Sequence, residues 1–259
     1  DERVDTAPGR YLGLWRFQPK LWLVWYGKDI PFMYSVALHT MKKLYNVEIF
    51  NVTSDSLNDI ITQLTEIHSI DTWKSFIYKI ENGKYPGPHY ADFLRVAIIY
   101  LYGGIYSDFD SIWLKKLPPF KLLMIDEPSN GVLGGYPKNK WLYNVLKSMP
   151  TAYDPNSWNS IGAGLLKNSL NKLPDTSEFT FIKYKEMYSV GWTEAKQYYS
   201  RSYEQLKHVN MGYQLHMFGK MTKLNQNNIP VKNSLYANVI RDVGIDICNN
   251  HPNGIMWDT

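Results

Sequence analysis

The feature that most constrains the fold is a strand, a helix and a second strand that follow one another between residues 21 and 52. Residues 21–26 are continuously apolar and end at Gly27, which is typical of a strand buried on both faces of a parallel sheet. Apolar residues recur at near-helical spacing over residues 31–45, and residues 47–52 predict a second strand. This order forms a βαβ unit, so the sequence predicts an α/β fold.

The remaining segments continue the α/β pattern. Further helices are predicted at residues 56–68, 91–102, 140–148 and 161–173, and short strands at residues 105–110 and 131–135. Residues 85–88, with the sequence YPGP, indicate a break before the helix at 91–102, and Gly103 and Gly104 are expected to end that helix with a left-handed C-cap. From Thr176 onward the pattern mixes short strands and loops.

Composition narrows the classes of function. The chain has 259 residues and a net charge of +4 that no run or face collects, which argues against nucleic-acid binding and is compatible with a small anionic ligand. Its single cysteine, Cys248, excludes an intramolecular disulfide and a cysteine-based zinc site. No apolar run approaches the roughly 20 residues that span a bilayer. The first residue is Asp1 rather than Met, which is compatible with a removed N-terminal anchor or signal.

Two aspartates lie at the end of the strand predicted at residues 105–110. Because side chains alternate between the faces of a strand, Asp108 and Asp110 are expected on one face, with their Cα atoms roughly 6–7 Å apart. Two carboxylates this close repel each other unless a cation lies beside them. Hard divalent ions such as Mn²⁺ and Mg²⁺ bind carboxylate and phosphate oxygens together. A metal–diphosphate site is one interpretation of the pair, and a solvated turn is the other.

The preceding helix carries a polar pair, Asp92 and Arg95. The two residues are three positions apart and therefore share one helical face. The rest of this helix is almost entirely apolar, and a polar couple on a buried helix usually has a partner or a function. We therefore expect Asp92 and Arg95 to be catalytic together with Asp108 and Asp110, while a local ion pair on an exposed face is the alternative.

Taken together, these segments resemble a known family. The residues DFLR at 92–95, followed by LYGGIYSDFD at 101–110, are similar to the DxD-containing sugar transferases. That family includes the Golgi α-1,4-galactosyl- and α-1,4-N-acetylglucosaminyltransferases and yeast α-mannosyltransferases. Trp25 and Gly27 match its opening strand, in which Trp22 stands at the usual His position. Trp158 and Gly162, and the later segment 213–221, are similar to two further motifs of the α-1,4 transferases.

The resemblance implies a GT-A fold, in which a Rossmann-like nucleotide-binding sheet is merged with an acceptor-binding region. It implies one catalytic domain over residues 1–259, with the nucleotide sugar and metal bound by residues 20–120 and the acceptor side and third metal ligand in residues 121–259. The implied reaction is a retaining transfer from a nucleotide-sugar donor, with a UDP-sugar favoured over a GDP-sugar, to a glycan or other hydroxyl acceptor. The implied cofactor is Mn²⁺, with Mg²⁺ as the alternative.

The resemblance also assigns roles to residues of this chain. Asp110 would bind the metal directly, Asp108 would contact the metal or the donor, and His216 would be the third metal ligand rather than a structural histidine. Asp92 and Arg95 would hold the donor sugar and diphosphate. The remaining assigned positions are the donor-binding residues Trp25, Tyr26, Gly27 and Gly104, and a loop facing the acceptor or donor sugar formed by Gly162, Ala163 and Gly164. Ring stacking on the nucleobase is the role expected of Trp25 and Tyr26, and core packing is the alternative for Trp25.

This sequence departs from the family pattern at several positions, which limits the family properties that can be expected of this chain. Ala163 and Lys167 replace the usual Pro and Thr of one α-1,4 motif, and Phe218 replaces Trp in another. The linkage and the sugar are therefore not carried over. A phosphatase whose nucleophile motif is Asp108-Phe109-Asp110-Ser111-Ile112, and a non-catalytic nucleotide-sugar-binding relative, stay open as alternatives. A Golgi lumenal enzyme is expected if the source is eukaryotic, and a cytoplasmic one if it is bacterial or viral.

Overall fold

A computed structural model of the protein describes residues 19–127, 129–202, 204, 209–223 and 229–244. It confirms the predicted α/β class, since helices pack around a six-stranded mixed sheet and a two-stranded sheet lies beside it. Residues 1–18 and Cys248 lie outside the described residues. In the part of the chain that is described, no helix combines the length and the apolar character needed to span a bilayer.

The strands form two sheets. They are β1 (Leu21–Trp25), β2 (Val47–Asn51), β3 (Gly104–Ser107), β4 (Ser111–Trp113), β5 (Leu122–Ile125), β6 (Val132–Gly135), β7 (Phe179–Ile182) and β8 (Gln214–His216). The large sheet has the order β2-β1-β3-β6-β5-β7, and β4 pairs with β8. β1 runs parallel to both β2 and β3, which confirms the predicted βαβ start. β6 is antiparallel to β3 and β5, and β7 is parallel to β5.

The helices connect and cover these strands. They are α1 (Phe32–Leu44), α2 (Ser54–Gln63), α3 (Ile70–Glu81), α4 (Pro86–Tyr102), α5 (Lys140–Ala152), α6 (Ala163–Leu170), α7 (Tyr184–Met187), α8 (Ala195–Ser200), α9 (Gly219–Thr222) and α10 (Leu235–Asp242). Side-chain caps begin several of them: Thr53 and Ser56 form a reciprocal capping box on α2, and Ser69 accepts the N–H of Thr72 on α3.

The large sheet separates two hydrophobic clusters. Leu21 and Leu23 of β1 point into the cluster that contains α1, while Trp22 and Val24 pack against the cluster that contains α2 to α6. This alternation follows from the two-residue period of a strand. α4 lies in the second cluster and is buried along most of its length, so its polar side chains are enclosed by protein rather than by solvent.

α4 differs from the sequence-based expectation at both ends. The predicted break at residues 85–88 is wrong, because Pro86 starts the helix, where its missing N–H removes no intrahelical hydrogen bond. Gly103 ends the helix as expected, with a positive φ of 68°, but its ψ of −176° is extended rather than left-handed helical. Trp22, which stands at the family's His position, donates its indole N–H to the carbonyl of Gly103 at 2.9 Å.

Candidate functional site

The two aspartates lie in a turn rather than on a strand. β3 ends at Ser107 and β4 begins at Ser111, so the predicted strand over residues 105–110 extends too far. The backbone N–H of Asp108 donates to the carbonyl of Gly131 at 2.7 Å, and the Ser107 hydroxyl donates to the carbonyl of Asp108 at 3.0 Å. These bonds hold the turn, and the tight connection between β3 and β4 brings the aspartates together.

Both aspartates face His216, the last residue of β8. The pairing of β4 with β8 places His216 opposite Ser111, and the N–H of Met217 donates to the carbonyl of Asp110 at 2.7 Å. His216 Nε2 lies 3.5 Å from Asp108 Oδ2 and 3.5 Å from Asp110 Oδ1. We call Asp108, Asp110 and His216 the acidic cluster. One ligand atom from each of its members lies within 4.8 Å of the other two.

Each carboxylate of the acidic cluster uses its two oxygens differently. Asp108 Oδ1 accepts the hydroxyl of Tyr106 at 2.9 Å and lies 3.3 Å from Arg95 Nη1, which leaves Oδ2 to face His216. Asp110 Oδ2 accepts the N–H of Gly219 at 2.7 Å, which leaves Oδ1 to face His216. One oxygen of each aspartate is thus fixed by the protein, while the other points toward a shared position. Hydrogen bonds from outside a metal site orient its ligands in the same way.

The electrostatics of the acidic cluster favour the charged form of the Asp108 carboxylate. Burial opposes ionisation of Asp108, but Arg95, His216 and Tyr106 outweigh it and lower the pKa of this carboxyl to about 2. Burial also opposes protonation of His216, and the neighbouring Asp110 and Asp108 outweigh it and raise the pKa of the imidazole. A metal cation near His216 Nε2 would offset the negative charge of the two aspartates, as the imidazole proton does without it.

The acidic cluster fits a divalent cation by its chemistry. Two carboxylate oxygens and an imidazole nitrogen suit Mn²⁺ or Mg²⁺, which prefer oxygen ligands, and the borderline ion Mn²⁺ also accepts nitrogen. The N–H of Phe218 donates to His216 Nδ1 at 3.0 Å, so the neutral ring carries its proton on Nε2. Ligation through Nε2 requires the proton on Nδ1 instead, and this hydrogen bond must then be given up.

Asp92 and Arg95 form a buried ion pair next to the acidic cluster. Arg95 Nη2 lies 3.1 Å from Asp92 Oδ1, and Nη1 reaches Asp108 Oδ1. The side-chain amide of Asn130 donates to Asp92 Oδ1 at 2.7 Å, and the backbone carbonyl of Asn130 accepts from Arg95 Nη1. Arg95 also lies over the ring of Tyr106 at 4.6 Å. Burial raises the pKa of Asp92 while Arg95 and Asn130 counteract it. Arg95 is thus the cation shared by the buried Asp92 and the half-buried Asp108.

The loop predicted to face the acceptor or donor sugar lies against Asp92. Gly162 precedes α6, and Ala163 and Gly164 are the first residues of that helix. A Cβ atom on Gly162 would lie 2.8 Å from Asp92 Oδ2 and 2.5 Å from Asn159 Oδ1, so only glycine fits this approach. A Cβ on Gly164 would meet nothing closer than 3.6 Å. The structure thus brings Gly162 into contact with the donor-side carboxylate predicted 70 residues earlier in the chain.

The two aromatic residues at the end of β1 have different surroundings. Trp25 packs on Tyr34 and on Phe109, with ring centroids 5.3 Å apart in both contacts. Its indole Nε1 is buried and has no partner among the described residues, so a hydrogen-bond donor is left unused there. Tyr26 is 53% exposed and stacks on Tyr90. Gly27 follows with a φ of 153°, which allows the chain to turn away.

Gly104 has a different position from the other predicted donor-binding residues. It is the first residue of β3, whereas Asp108 follows the last, so the two Cα atoms are separated by about 10–13 Å of extended chain. Its φ is 105°, and a Cβ there would collide with the carbonyl of Lys20. This glycine therefore permits the close packing of β3 on the chain before β1, and its donor-binding role stays a prediction.

Several residues of the site carry no motif that sequence reasoning could use. Asn130 and Gly131 lie in the connection between β5 and β6, and a Cβ on Gly131 would come within 2.8 Å of Asp108 Oδ2. Tyr188 packs edge-on against His216, and its hydroxyl shares a hydrogen bond with Ser129 at 2.9 Å. A Pro-Ser-Asn-Gly run such as residues 128–131 indicates a turn but not its partner. For Tyr106, the alternation of a strand predicts only that it shares a face with the aspartates.

Two family models match the chain in the regions that build this site. One, described as a glycosyltransferase sugar-binding region containing a DXD motif, matches residues 32–129 and so includes Asp92, Arg95, Asp108 and Asp110. The other, described as an alpha 1,4-glycosyltransferase conserved region, matches residues 136–250 and includes His216. The chain belongs to the DXD-motif sugar transferases.

The chain is similar to two curated proteins over part of their length. It is 27% identical over 165 residues to the alpha-1,4-N-acetylglucosaminyltransferase of Homo sapiens, a match covering 58% of this chain and 48% of that protein. It is 27% identical over 128 residues to a mannosyl phosphorylinositol ceramide synthase of Saccharomyces cerevisiae, covering 47% and 32% of the two chains. The chain therefore spans half or less of the length of these relatives. Among solved structures, the PaToxG glycosyltransferase aligns over 60% of this chain and 69% of its own, with 18% identity and a TM-score of 0.47.

Proposed function

We propose that this sugar transferase moves a sugar from a nucleotide-diphosphate donor to a hydroxyl of a glycan acceptor with retention of configuration, in a reaction that requires a divalent cation. A UDP-sugar is the favoured donor and a GDP-sugar the alternative, and Mn²⁺ is favoured over Mg²⁺. The observation that carries the proposal is the acidic cluster, in which Asp108 Oδ2 and Asp110 Oδ1 converge on His216 Nε2 at 3.5 Å.

The GT-A arrangement is part of the proposal. Residues 20–120 supply the nucleotide side, with Trp25, Tyr26 and Gly27 around the base and Asp108 and Asp110 at the diphosphate. Residues 121–259 supply His216 and the acceptor side. Support comes from the aromatic packing around Trp25 and from its unpartnered indole N–H, which offers a donor to a nucleobase oxygen.

The residues of the donor end have distinct roles in this proposal. Asp108, Asp110 and His216 would hold a divalent cation, which would supply the positive charge that makes the diphosphate a better leaving group. Arg95 fixes the orientation of Asp108 and would add positive charge beside the diphosphate. Asp92 is engaged by Arg95 and Asn130, so it orients the guanidinium and presents Oδ2 toward Gly162 and the donor sugar.

The proposed transfer needs no protein nucleophile. The acceptor hydroxyl oxygen attacks the anomeric carbon on the face that the diphosphate leaves, forming one C–O bond while the C–O bond to the diphosphate breaks. The hydroxyl proton passes to the departing diphosphate oxygen. Asp92 is poorly suited to act as a covalent nucleophile, because it is buried and ion-paired with Arg95.

A donor screen tests the proposal. Nucleotide release is followed with Mn²⁺ across UDP- and GDP-sugars, for the wild type and for Asp110→Ala, with Asp59→Ala on the exposed face of α2 as the matched control. We expect release from one nucleotide class, its loss in Asp110→Ala and its retention in Asp59→Ala.

Three results contradict the proposal in different ways. Release from every donor that is unaffected by Asp110→Ala, or failure to bind any nucleotide, removes the donor site. Phosphate release from small phosphomonoesters without a sugar nucleotide identifies the phosphatase alternative. Binding of UDP and Mn²⁺ without turnover of any donor identifies a non-catalytic relative.

A further inference from the structure

The loop at residues 153–162, between α5 and α6, is fixed to the first half of α4. The buried His89 donates through Nε2 to the carbonyl of Ser157 at 3.1 Å, and its Nδ1 lies 2.9 Å from the hydroxyl of Tyr153. The N–H of Lys84 donates to the carbonyl of Pro155 at 3.0 Å. These bonds tie the loop to α4 from both sides, so the side chains it presents are held in place before any ligand arrives.

Trp158 is the large aromatic side chain that this loop presents to solvent. It is 47% exposed. Tyr85 packs against it with a T-shaped geometry and a centroid distance of 5.0 Å, and the ammonium of Lys220 lies 4.3 Å from its ring centroid. An indole held by two neighbours has little rotamer freedom left to lose when it binds a ligand. An ordered and half-exposed indole is therefore suited to binding.

The position of Trp158 relates it to the acidic cluster through two chains of contacts. Four residues after Trp158, Gly162 abuts Asp92, which is linked through Arg95 to Asp108. In the other direction, Lys220 follows Gly219, whose N–H is bonded to Asp110 Oδ2. The contact between Trp158 and Lys220 closes this circuit, so the half-exposed indole is connected to Asp92 through Gly162 and to Asp110 through Gly219.

We propose that Trp158 is the platform on which a sugar ring of the acceptor stacks, with Tyr85 and Lys220 as the residues that position the indole. This inference rests on the proposed function, since it names where the second substrate of that reaction binds. The apolar C–H face of a pyranose matches the negative face of an indole and buries its exposed surface. The nucleobase already has a proposed place at Trp25, whose indole packs on Tyr34 and Phe109 and leaves its N–H without a partner among the described residues.

Binding to an immobilised glycan array, in the presence of UDP and Mn²⁺, tests the platform across many candidate acceptors at once. We expect the wild type to be retained on a subset of glycans and Trp158→Ala to lose at least tenfold of that signal. Trp158→Tyr keeps an aromatic face and should stay within about threefold of the wild type. Tyr78→Ala removes an aromatic on α3 that is 66% exposed, more than Trp158, and should bind like the wild type.

A second readout separates the platform from a merely structural role. With a retained glycan as acceptor, the ratio of sugar transfer to donor hydrolysis is measured for each variant. Loss of the platform should lower this ratio at least tenfold in Trp158→Ala, whereas general damage to the site lowers transfer and hydrolysis together.

The possible failures are distinguishable. No retained glycan for the wild type, an unchanged transfer ratio in Trp158→Ala, or an equal loss in Trp158→Tyr each overturns the platform while donor hydrolysis by the wild type still supports the proposed function. Absence of any donor hydrolysis or transfer by the wild type instead overturns the proposed function, and the platform falls with it.

Discussion

The acidic cluster and the 153–162 loop are linked through Gly162, Asp92 and Arg95 but are built by opposite means. In the acidic cluster the carboxylates are largely enclosed, and each has one oxygen fixed by a named donor. In the loop the principal side chain, Trp158, is half exposed and held by packing on Tyr85 and Lys220. Enclosed charges require partners at fixed positions, so substitutions in the proposed donor-binding region are expected to be costly. An exposed side chain such as Trp158 can be replaced without disturbing the core.

The largest effect predicted by this comparison comes from Asp108→Asn. The amide keeps the shape of the side chain but cannot supply the negative charge that a cation and Arg95 require. We expect donor turnover to fall on the order of 1,000-fold, equivalent to about 4 kcal/mol of transition-state stabilisation. Nucleotide-release kinetics measure this, with Asp59→Asn as the exposed control. Retention of more than a tenth of the activity would show that the acidic cluster is dispensable.

Arg95→Met tests how strongly the free energy of unfolding depends on the one cation that Asp92 and Asp108 share. Its removal leaves Asp92 and Asp108 facing each other without a guanidinium, and breaking a buried ion pair by removing one partner costs about 3–5 kcal/mol. Urea unfolding gives the free energy directly. Arg241→Met, on the exposed face of α10, should change it by no more than about 0.5 kcal/mol. Equal stability of the two variants contradicts a shared buried cation.

Gly162→Ala and Gly164→Ala form a matched pair at the junction of the two regions. A Cβ on Gly162 is forced to within 2.8 Å of Asp92 Oδ2, so we expect a loss of about 1–3 kcal/mol and weaker donor turnover. On Gly164 the nearest atom would be 3.6 Å away, and alanine in the first turn of α6 should be neutral or stabilising by up to about 1 kcal/mol. Thermal unfolding of both variants decides whether the approach to Asp92 is as close as described.

The smallest effect is expected from Tyr106→Phe. It removes the hydroxyl that donates to Asp108 Oδ1, while Arg95 remains a partner of the same oxygen. The free energy of unfolding should fall by about 1 kcal/mol, the usual net value of one hydrogen bond. Tyr102→Phe, whose hydroxyl is bonded at the surface to Gln63, is the control and should be nearly neutral. A loss above about 3 kcal/mol would mean that Tyr106 alone maintains Asp108.

The sequence predicts the fold, and the clustering of Asp92, Arg95, Asp108, Asp110 and His216, better than it predicts their surroundings. The βαβ start is carried by continuous apolar runs, and the helix of Asp92 and Arg95 ends where Gly103 requires it. The strand predicted over residues 105–110 is too long, because alternating apolar residues also occur in a turn that is held by Gly131 and β8. The sequence pattern does not predict α3, whose apolar residues pack against α4, because it lies between two stronger signals.

What the sequence leaves out are contacts between distant segments. Asn130 bonds to Asp92 and Arg95 from the connection between β5 and β6. The spacing of residues within a local segment cannot predict a contact between Asn130 and Asp92, which are 38 residues apart. Tyr188 and Gly219 meet the acidic cluster in the same way, from segments far along the chain. Trp158 is recognisable as part of a motif, but its exposure and its contact with Lys220 depend on the fold.

The most direct test of the central claim is the affinity of the protein for UDP and for GDP, measured by calorimetry with Mn²⁺ and again with EDTA, for the wild type and for Asp110→Asn. We predict that one nucleotide binds the wild type at least tenfold more tightly with Mn²⁺, and that Asp110→Asn loses this difference. Affinity that is the same in Mn²⁺ and in EDTA, or the same in both proteins, would contradict a cation-dependent donor site at Asp108, Asp110 and His216.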